Sequence, residues 1–149
     1  MINRIDDYCC EILQIANSDK HGYSQKNRWG SPDYDCSSLV ISVVNNSGIP
    51  VKKHGATYTG NMKQAFLKAG FKDVTDYVDL TNGNGLNKGD ILLKSGSHTE
   101  IYIGCGLIVG ATIDERGDIV GLKEGDQTGE EIRCRNYYNR PWGSVLRYK

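Results

Sequence analysis

The sequence predicts an α+β domain, with helices in the first half and strands in the second. Two observations carry this. Apolar residues recur at helical spacing before residue 70, in stretches closed by Ser, Asn or Gly, while short β-rich runs separated by Gly-containing turns dominate after residue 90. That order of elements packs helices on one antiparallel sheet. The length agrees: 149 residues suits one domain, and a chain of that size hides roughly 70% of its unfolded surface without disulfide or metal staples.

Each element has its own signal. Ile2, Ile5, Cys9, Ile12, Leu13 and Ala16 form a stripe that predicts a helix over 2–17, ended by Asn17, Ser18 and Asp19. Residues 20–34 are polar, contain Gly22, Gly30 and Pro32, and read as a loop. Leu39, Val40, Val43 and Val44 make the buried face of a second helix over 36–46, with Gly48 as its stop. A third helix over 60–69 turns Met62, Ala65, Phe66 and Ala69 inward, with Thr59 as N-cap and Gly70 as stop. Residues 90–95, 98–104 and 107–114 read as strands, 115–129 as a Gly- and acid-rich loop, and 131–138 and 142–148 as two final strands around Pro141.

Composition excludes several functions. Lys+Arg and Asp+Glu are 18 each, so the net charge is zero, which argues against nucleic-acid and polybasic membrane binding. No apolar run approaches the ~20 residues of a membrane-spanning helix. The first residues carry acids and no long apolar stretch, so no secretory signal peptide is expected. The five cysteines (Cys9, Cys10, Cys36, Cys105, Cys134) are odd in number and include no CxxC pair. They read as reduced thiols of a cytoplasmic protein rather than a zinc or disulfide framework. Asn82-Gly83-Asn84-Gly85 precedes no Gly-Lys-Ser helix start, and the acids from Asp114 to Asp118 match no calcium loop. His21 and His54 fall in loops and read as surface residues.

Two residues carry chemistry. In Asp33-Tyr34-Asp35-Cys36-Ser37-Ser38-Leu39-Val40 the helical period begins directly after Asp-Cys. Asp35 can therefore cap the helix and place Cys36 in its first turn, where free backbone N–H groups and the helix dipole lower a thiol pKa. Asp35 opposes that effect, so an imidazole is needed to complete the activation. His98 opens the run His98-Thr99-Glu100-Ile101-Tyr102-Ile103-Gly104. Alternation turns Thr99, Ile101 and Ile103 to the core and sets His98, Glu100 and Tyr102 on the other face. A histidine beside a carboxylate there can serve as an oriented general base. A helix-start thiol with an imidazole on a later strand is the dyad of papain-like cysteine hydrolases. Each residue has a plainer reading too: a buried helix-start cysteine, an exposed strand-end histidine and a solvated glutamate.

These motifs resemble a known group. The Asp35-Cys36-Ser37-Ser38-Leu39-Val40 box, Gly89-Asp90-Ile91-Leu92 and the His98–Gly104 run, in that order, are similar to the NlpC superfamily of papain-like cell-wall hydrolases. Within it the chain resembles the peptidoglycan amidohydrolase domains of phage endolysins. His21-Gly22-Tyr23-Ser24-Gln25, Arg28-Trp29-Gly30, Gly125-Asp126-Gln127-Thr128-Gly129, Arg135-Asn136-Tyr137-Tyr138 and Pro141-Trp142 extend the likeness over nearly the whole chain.

The resemblance implies a papain-like α+β fold and hydrolysis of a peptidoglycan amide through an acyl-enzyme, with no metal or organic cofactor. It implies Cys36 as nucleophile and His98 as general base and acid. It places Tyr23 on the oxyanion side and Asp35 and Ser37 in the substrate pocket, where they can hold a peptide amine or amide. The family's third polar residue usually lies on the next strand, at the position of Gly110, which has no side chain to orient a histidine. A turn at Gly104-Cys105-Gly106 sets Gly110 opposite Glu100, so Glu100 is the candidate for that role, with Thr112 and Asp126 behind it. Tyr23, Trp29 and Tyr34 precede the nucleophile, and one or two of them are expected to line a substrate groove.

The expected partner is the bacterial cell wall, its glycan or stem peptide, with any wall-binding domain on a separate segment or subunit. The expected setting is the host cytoplasm, with action on the wall once the membrane is opened. Either the muramoyl–L-alanine amide or a stem-peptide bond suits the chemistry. A catalytically inactive wall-binding module and a general papain-like protein peptidase are the alternatives.

Overall fold

The computed structural model describes residues 3–18, 21, 23–25, 28–30, 33–111 and 132–148. Among them run three helices, α1 (Arg4–Ala16), α2 (Cys36–Asn46) and α3 (Thr59–Lys68), and six strands. The strands are β1 (Phe71–Asp73), β2 (Ile91–Lys94), β3 (His98–Gly104), β4 (Leu107–Ala111), β5 (Ile132–Asn136) and β6 (Ser144–Tyr148). They form one antiparallel sheet in the order β1-β6-β2-β3-β4-β5. No helix among the described residues is long and apolar enough to cross a membrane.

The α+β expectation holds, with local corrections. The third helix begins at Thr59, so Tyr58 and not Thr59 is its N-cap. Asn61 draws the chain into that helix by accepting the backbone N–H groups of Thr57 and Tyr58 at 2.9 and 3.2 Å. Gly48 and Gly70 follow α2 and α3 with φ of +100° and +111°, the left-handed conformation that ends helices. β1 has no counterpart in the sequence reading. Its three residues have only Phe71 buried, too short a pattern to show a period, and it is recruited by pairing with β6. The acid-rich run 114–118, Thr112 and Asp126 lie outside the described residues.

The sheet is covered on both faces. One carries the main core, where Tyr8 and Ile12 of α1 and Leu39, Val40 and Val43 of α2 pack with Ile91, Leu93, Ile101 and Val109. The other carries a smaller cluster of Leu92, Ile108, Trp142 and Val145, roofed by Leu80, Tyr137 and Tyr138. α2 is therefore not a half-exposed amphipathic helix: every residue from Cys36 to Val44 is buried, serines included. The roof on the second face also changes β3. The face expected to be polar and solvated is enclosed, and His98 and Glu100 are 3% and 0% exposed.

Candidate active site

The thiol is placed by a capping box. Asp35 Oδ1 accepts the Ser38 N–H at 2.8 Å while Ser38 Oγ accepts the Asp35 N–H at 3.0 Å. This reciprocal pair starts α2 at Cys36. The backbone N–H groups of Ser37 and Thr99 point at the sulfur. Thr99 follows His98, so the Cys36 sulfur lies against the start of β3. The β2–β3 turn, closed by a Ser97 N–H to Lys94 carbonyl bond of 2.9 Å, contributes Gly96 and Ser97 to a cavity of about 260 Å³. Cys36, Asp35, Ser37 and Arg28 line its other side.

The expected lowering of the thiol pKa is overturned. Burial, followed by the negative charge of Asp35, pushes the Cys36 thiol up to about 11, and the two backbone N–H groups and Arg140 only partly oppose this. The helix start offers partial charges, whereas taking a thiolate out of water costs more than they return.

The imidazole is held on its far edge. His98 Nε2 lies 2.9 Å from Glu100 Oε2. Its ring stacks on Trp142 at 5.9 Å with a 24° interplanar angle. Burial moves the imidazole below its ordinary pKa, against the pull of Glu100, and Arg140 and Arg135 add to the lowering. Burial alone would raise the Glu100 carboxyl, but His98 and Arg135 reverse that and hold it below its usual range. With the carboxylate ionised, Nε2 carries the proton and Nδ1 is the bare nitrogen.

Glu100 Oε2 gathers two further donors, Arg135 Nη2 at 3.0 Å and Tyr138 OH at 3.0 Å. The Ile101–Val109 pairing sets Gly110 opposite Glu100, as the turn geometry predicts. A Cβ on Gly110 would stand 2.4 Å from Glu100 Cγ, so the residue without a side chain makes room for the carboxylate. The solvated reading of Glu100 is thus overturned.

The remaining residues sort as follows. Tyr23 is buried, pairs with Tyr34 in a short parallel bridge, and its hydroxyl accepts Gln25 Nε2 at 3.1 Å. Burial pushes its phenol up to about 12, and the charges of Cys36 and Asp35 act on it too. Asp35 Oδ2 makes an ion-pair contact of 3.2 Å with Arg28 Nε. Arg28 Nη2 also donates to Ser37 Oγ at 3.1 Å and to the Thr57 carbonyl. Both carboxylate oxygens of Asp35 therefore have partners within the chain. Trp29 is 38% exposed and lies between Arg28 and Lys52, while Tyr34 packs on the main core. His21 is not a free surface residue: its ring meets Tyr34 edge-on at 5.1 Å. The sequence assigns no individual contact to Arg28, Arg135, Tyr138 or Trp142, although all four stand in motifs the resemblance singles out.

A helix-start thiol packed on an antiparallel sheet that presents a strand-start histidine defines the NlpC-type α+β fold. The chain belongs to the family of endolysin-like domains, whose model matches residues 30–107 and 108–149. Solved structures agree on the fold. NlpC2 from Trichomonas vaginalis superposes with a TM-score of 0.57 at 16% identity, over 99% of this chain and 47% of that one. The peptidoglycan hydrolase RipB from Mycobacterium tuberculosis gives 0.51 at 15% identity, over 97% of this chain and 65% of its own. The chain thus spans about half of the first and two thirds of the second. No curated protein sequence matches it.

Proposed function

We propose that this chain is a peptidoglycan hydrolase that cuts a cell-wall amide with Cys36 as nucleophile and His98 as general base. The observation that carries the reading is the buried His98–Glu100 pair at the start of β3, one residue from the backbone N–H that meets the Cys36 sulfur. Family membership and the likeness to RipB point to the same substrate class.

The directions of the two shifts favour one order of proton movement. A thiol raised to about 11 beside an imidazole lowered from its ordinary value rests as a neutral pair. The Sγ proton therefore passes to His98 Nδ1 as sulfur attacks the carbonyl carbon. The tetrahedral oxyanion is received by backbone N–H groups at the start of α2, with Tyr23 on that side. Collapse breaks the C–N bond, the amine leaves with the proton from His98, and a thioester remains. Water, deprotonated by His98, then releases the acid and restores the thiol. Ser37 and Asp35, with Arg28 neutralising the carboxylate, form the polar wall that holds a peptide amide of the substrate.

The experiment is hydrolysis of purified walls by wild type and Cys36→Ala, followed by turbidity and by mass spectrometry of the fragments. Cys36→Ala should abolish turnover while thermal unfolding changes little. The newly exposed amine distinguishes the muramoyl–L-alanine amide from a stem-peptide bond. Lysis at the wild-type rate by Cys36→Ala refutes the mechanism. Wall binding without hydrolysis by wild type identifies a binding module instead, and hydrolysis of a generic protein alone identifies a peptidase.

A further inference from the structure

We infer that Arg135 and Tyr138 are positioning residues for the His98 imidazole, acting through Glu100. This rests on the reading of His98 as the general base and adds the groups that keep it one. Neither residue lines the cavity beside Cys36; both hydrogen-bond the carboxylate that holds His98.

The geometry is specific. One oxygen, Glu100 Oε2, receives His98 Nε2 at 2.9 Å, Arg135 Nη2 at 3.0 Å and Tyr138 OH at 3.0 Å. Tyr138 has one proton to give. Its oxygen accepts Arg135 Nη2 at 2.6 Å and Arg140 Nη1 at 3.1 Å, so that proton is directed to Glu100. Arg135 also lies over the Tyr138 ring at 4.2 Å. A fully buried carboxylate with the imidazole as its sole partner would tend to take up a proton. It would then compete as a donor for the nitrogen it should be accepting from. The guanidinium and the phenol prevent this by keeping Glu100 ionised and its Oε2 fixed. That holds the proton on Nε2 and leaves Nδ1 free to act as base. The same segment supplies the plane of the ring: Trp142 stacks on His98, and its Nε1 donates to the Tyr138 carbonyl at 3.0 Å.

Among the described residues, the charged and titratable groups acting on His98 or next to it are Glu100 on its own strand, Arg135 on β5, Tyr138 and Arg140 between β5 and β6, and Cys36 at the start of α2. Glu100 raises the imidazole's proton affinity, while Arg135 and Arg140 lower it. Removing Glu100 and removing Arg135 must therefore shift His98 in opposite directions. A part that merely fills space would not have this signature.

The test is an NMR titration of the three imidazoles in the full chain, with pH–rate profiles on purified walls. Arg135→Gln should move the His98 midpoint to higher pH, and Glu100→Gln to lower pH. Tyr138→Phe keeps the ring and its packing and removes only the hydroxyl; it should move the midpoint upward by less. The acid limb of kcat should follow each midpoint. For Arg135→Gln, kcat should fall about tenfold or more with little change in KM, because the base and not the substrate contact is affected. Arg135→Lys, which keeps the charge, should hold the midpoint near wild type. If Arg135→Gln and Tyr138→Phe leave the His98 titration in place, or move it the way Glu100→Gln does, the inference is overturned. The two readings fail separately. A wild-type chain that does not cut walls defeats the proposed function while the titration still reports the coupling. A chain that cuts walls with an immobile midpoint defeats only the positioning role.

Discussion

Gly110→Ala tests most directly how Glu100 reaches the histidine. A methyl group there would stand 2.4 Å from Glu100 Cγ and 2.9 Å from Cδ and Oε1. The first clash is with the near end of the side chain, so rotating the carboxylate does not relieve it. Nor is there room to retreat, because Glu100 is fully buried between His98, Arg135 and Tyr138. Overpacking of this kind costs about 1–3 kcal/mol. The backbone gain on replacing a strand glycine by alanine is only about 0.5–1 kcal/mol, so destabilisation wins by roughly 1–2 kcal/mol. With urea slopes of about 1–3 kcal/mol per molar, the unfolding midpoint should fall by roughly 0.5–1 M, and wall hydrolysis should drop as Glu100 is pushed off His98. The decisive arm is the double variant. Glu100→Ala alone strands a guanidinium that is a quarter exposed, a cost of about 2 kcal/mol at the low end for a broken ion pair. With Glu100 already truncated, the three nearest contacts of the added methyl are gone, and Gly110→Ala should become neutral or slightly stabilising. A coupling of at least about 1 kcal/mol follows. Strictly additive single effects, or a Gly110→Ala protein with wild-type stability and activity, would refute the packing argument.

Three further outcomes follow from the same groups. Because burial holds the Cys36 thiol at about 11, its alkylation by iodoacetamide, mapped by peptide mass spectrometry, should keep rising through pH 8–10 while exposed Cys10 and Cys105 react first. A plateau below pH 8 would contradict a neutral resting thiol. Cys9 and Cys36 are raised in the folded state to about 12 and about 11 from 9.0, so the unfolded chain loses these protons first as pH rises. Stability should be fully present below about pH 8 and decline from pH 9 to 11, read as a falling urea midpoint; an unchanged midpoint at pH 10 would count against it. Asp90 is fully buried and accepts Arg147 Nε at 2.9 Å, Arg147 Nη2 at 2.8 Å and the Asn87 N–H at 2.8 Å, so Asp90→Ala should cost about 3–5 kcal/mol, and a loss under 1 kcal/mol would refute the ion pair's structural weight.

The placement of Cys36 and His98 was legible because its determinants are local. Asp35 and Ser38 are three residues apart and start the helix at Cys36, and His98 begins a run whose period is unmistakable. The opposition of Gly110 and Glu100 was legible as well, since a short turn dictates register. What lay beyond the sequence is what arrives from distant chain. The enclosure of His98 and Glu100 depends on Trp142 and Tyr138 folding over a face that strand periodicity alone assigns to solvent. The ion-pair partner of Asp35 is Arg28, seven residues away through a loop with no period. The thiol's acidity failed for the same reason: the helix start is visible in the sequence, but the burial that outweighs it is a tertiary quantity. β1 exists only because β6 offers an edge.

Placing a carboxylate two residues along the same strand as His98 has a consequence for how the proposed site works. On one face of a strand, neighbours i and i+2 are fixed by the pleat, so Glu100 needs no loop closure to find His98. It needs only an empty position on the next strand, which Gly110 supplies. Engaging Nε2 from within the strand directs the other ring edge, with Nδ1, away from Glu100. The cations that secure Glu100 also lower the imidazole's affinity for a second proton, and burial does the same. Burial meanwhile holds the proton on sulfur. Burial, the largest influence on both groups, therefore opposes a standing thiolate–imidazolium pair, and in the proposed mechanism the proton moves together with attack on the carbonyl. In that mechanism the Cys36 thiol stays protonated until a substrate amide is bound.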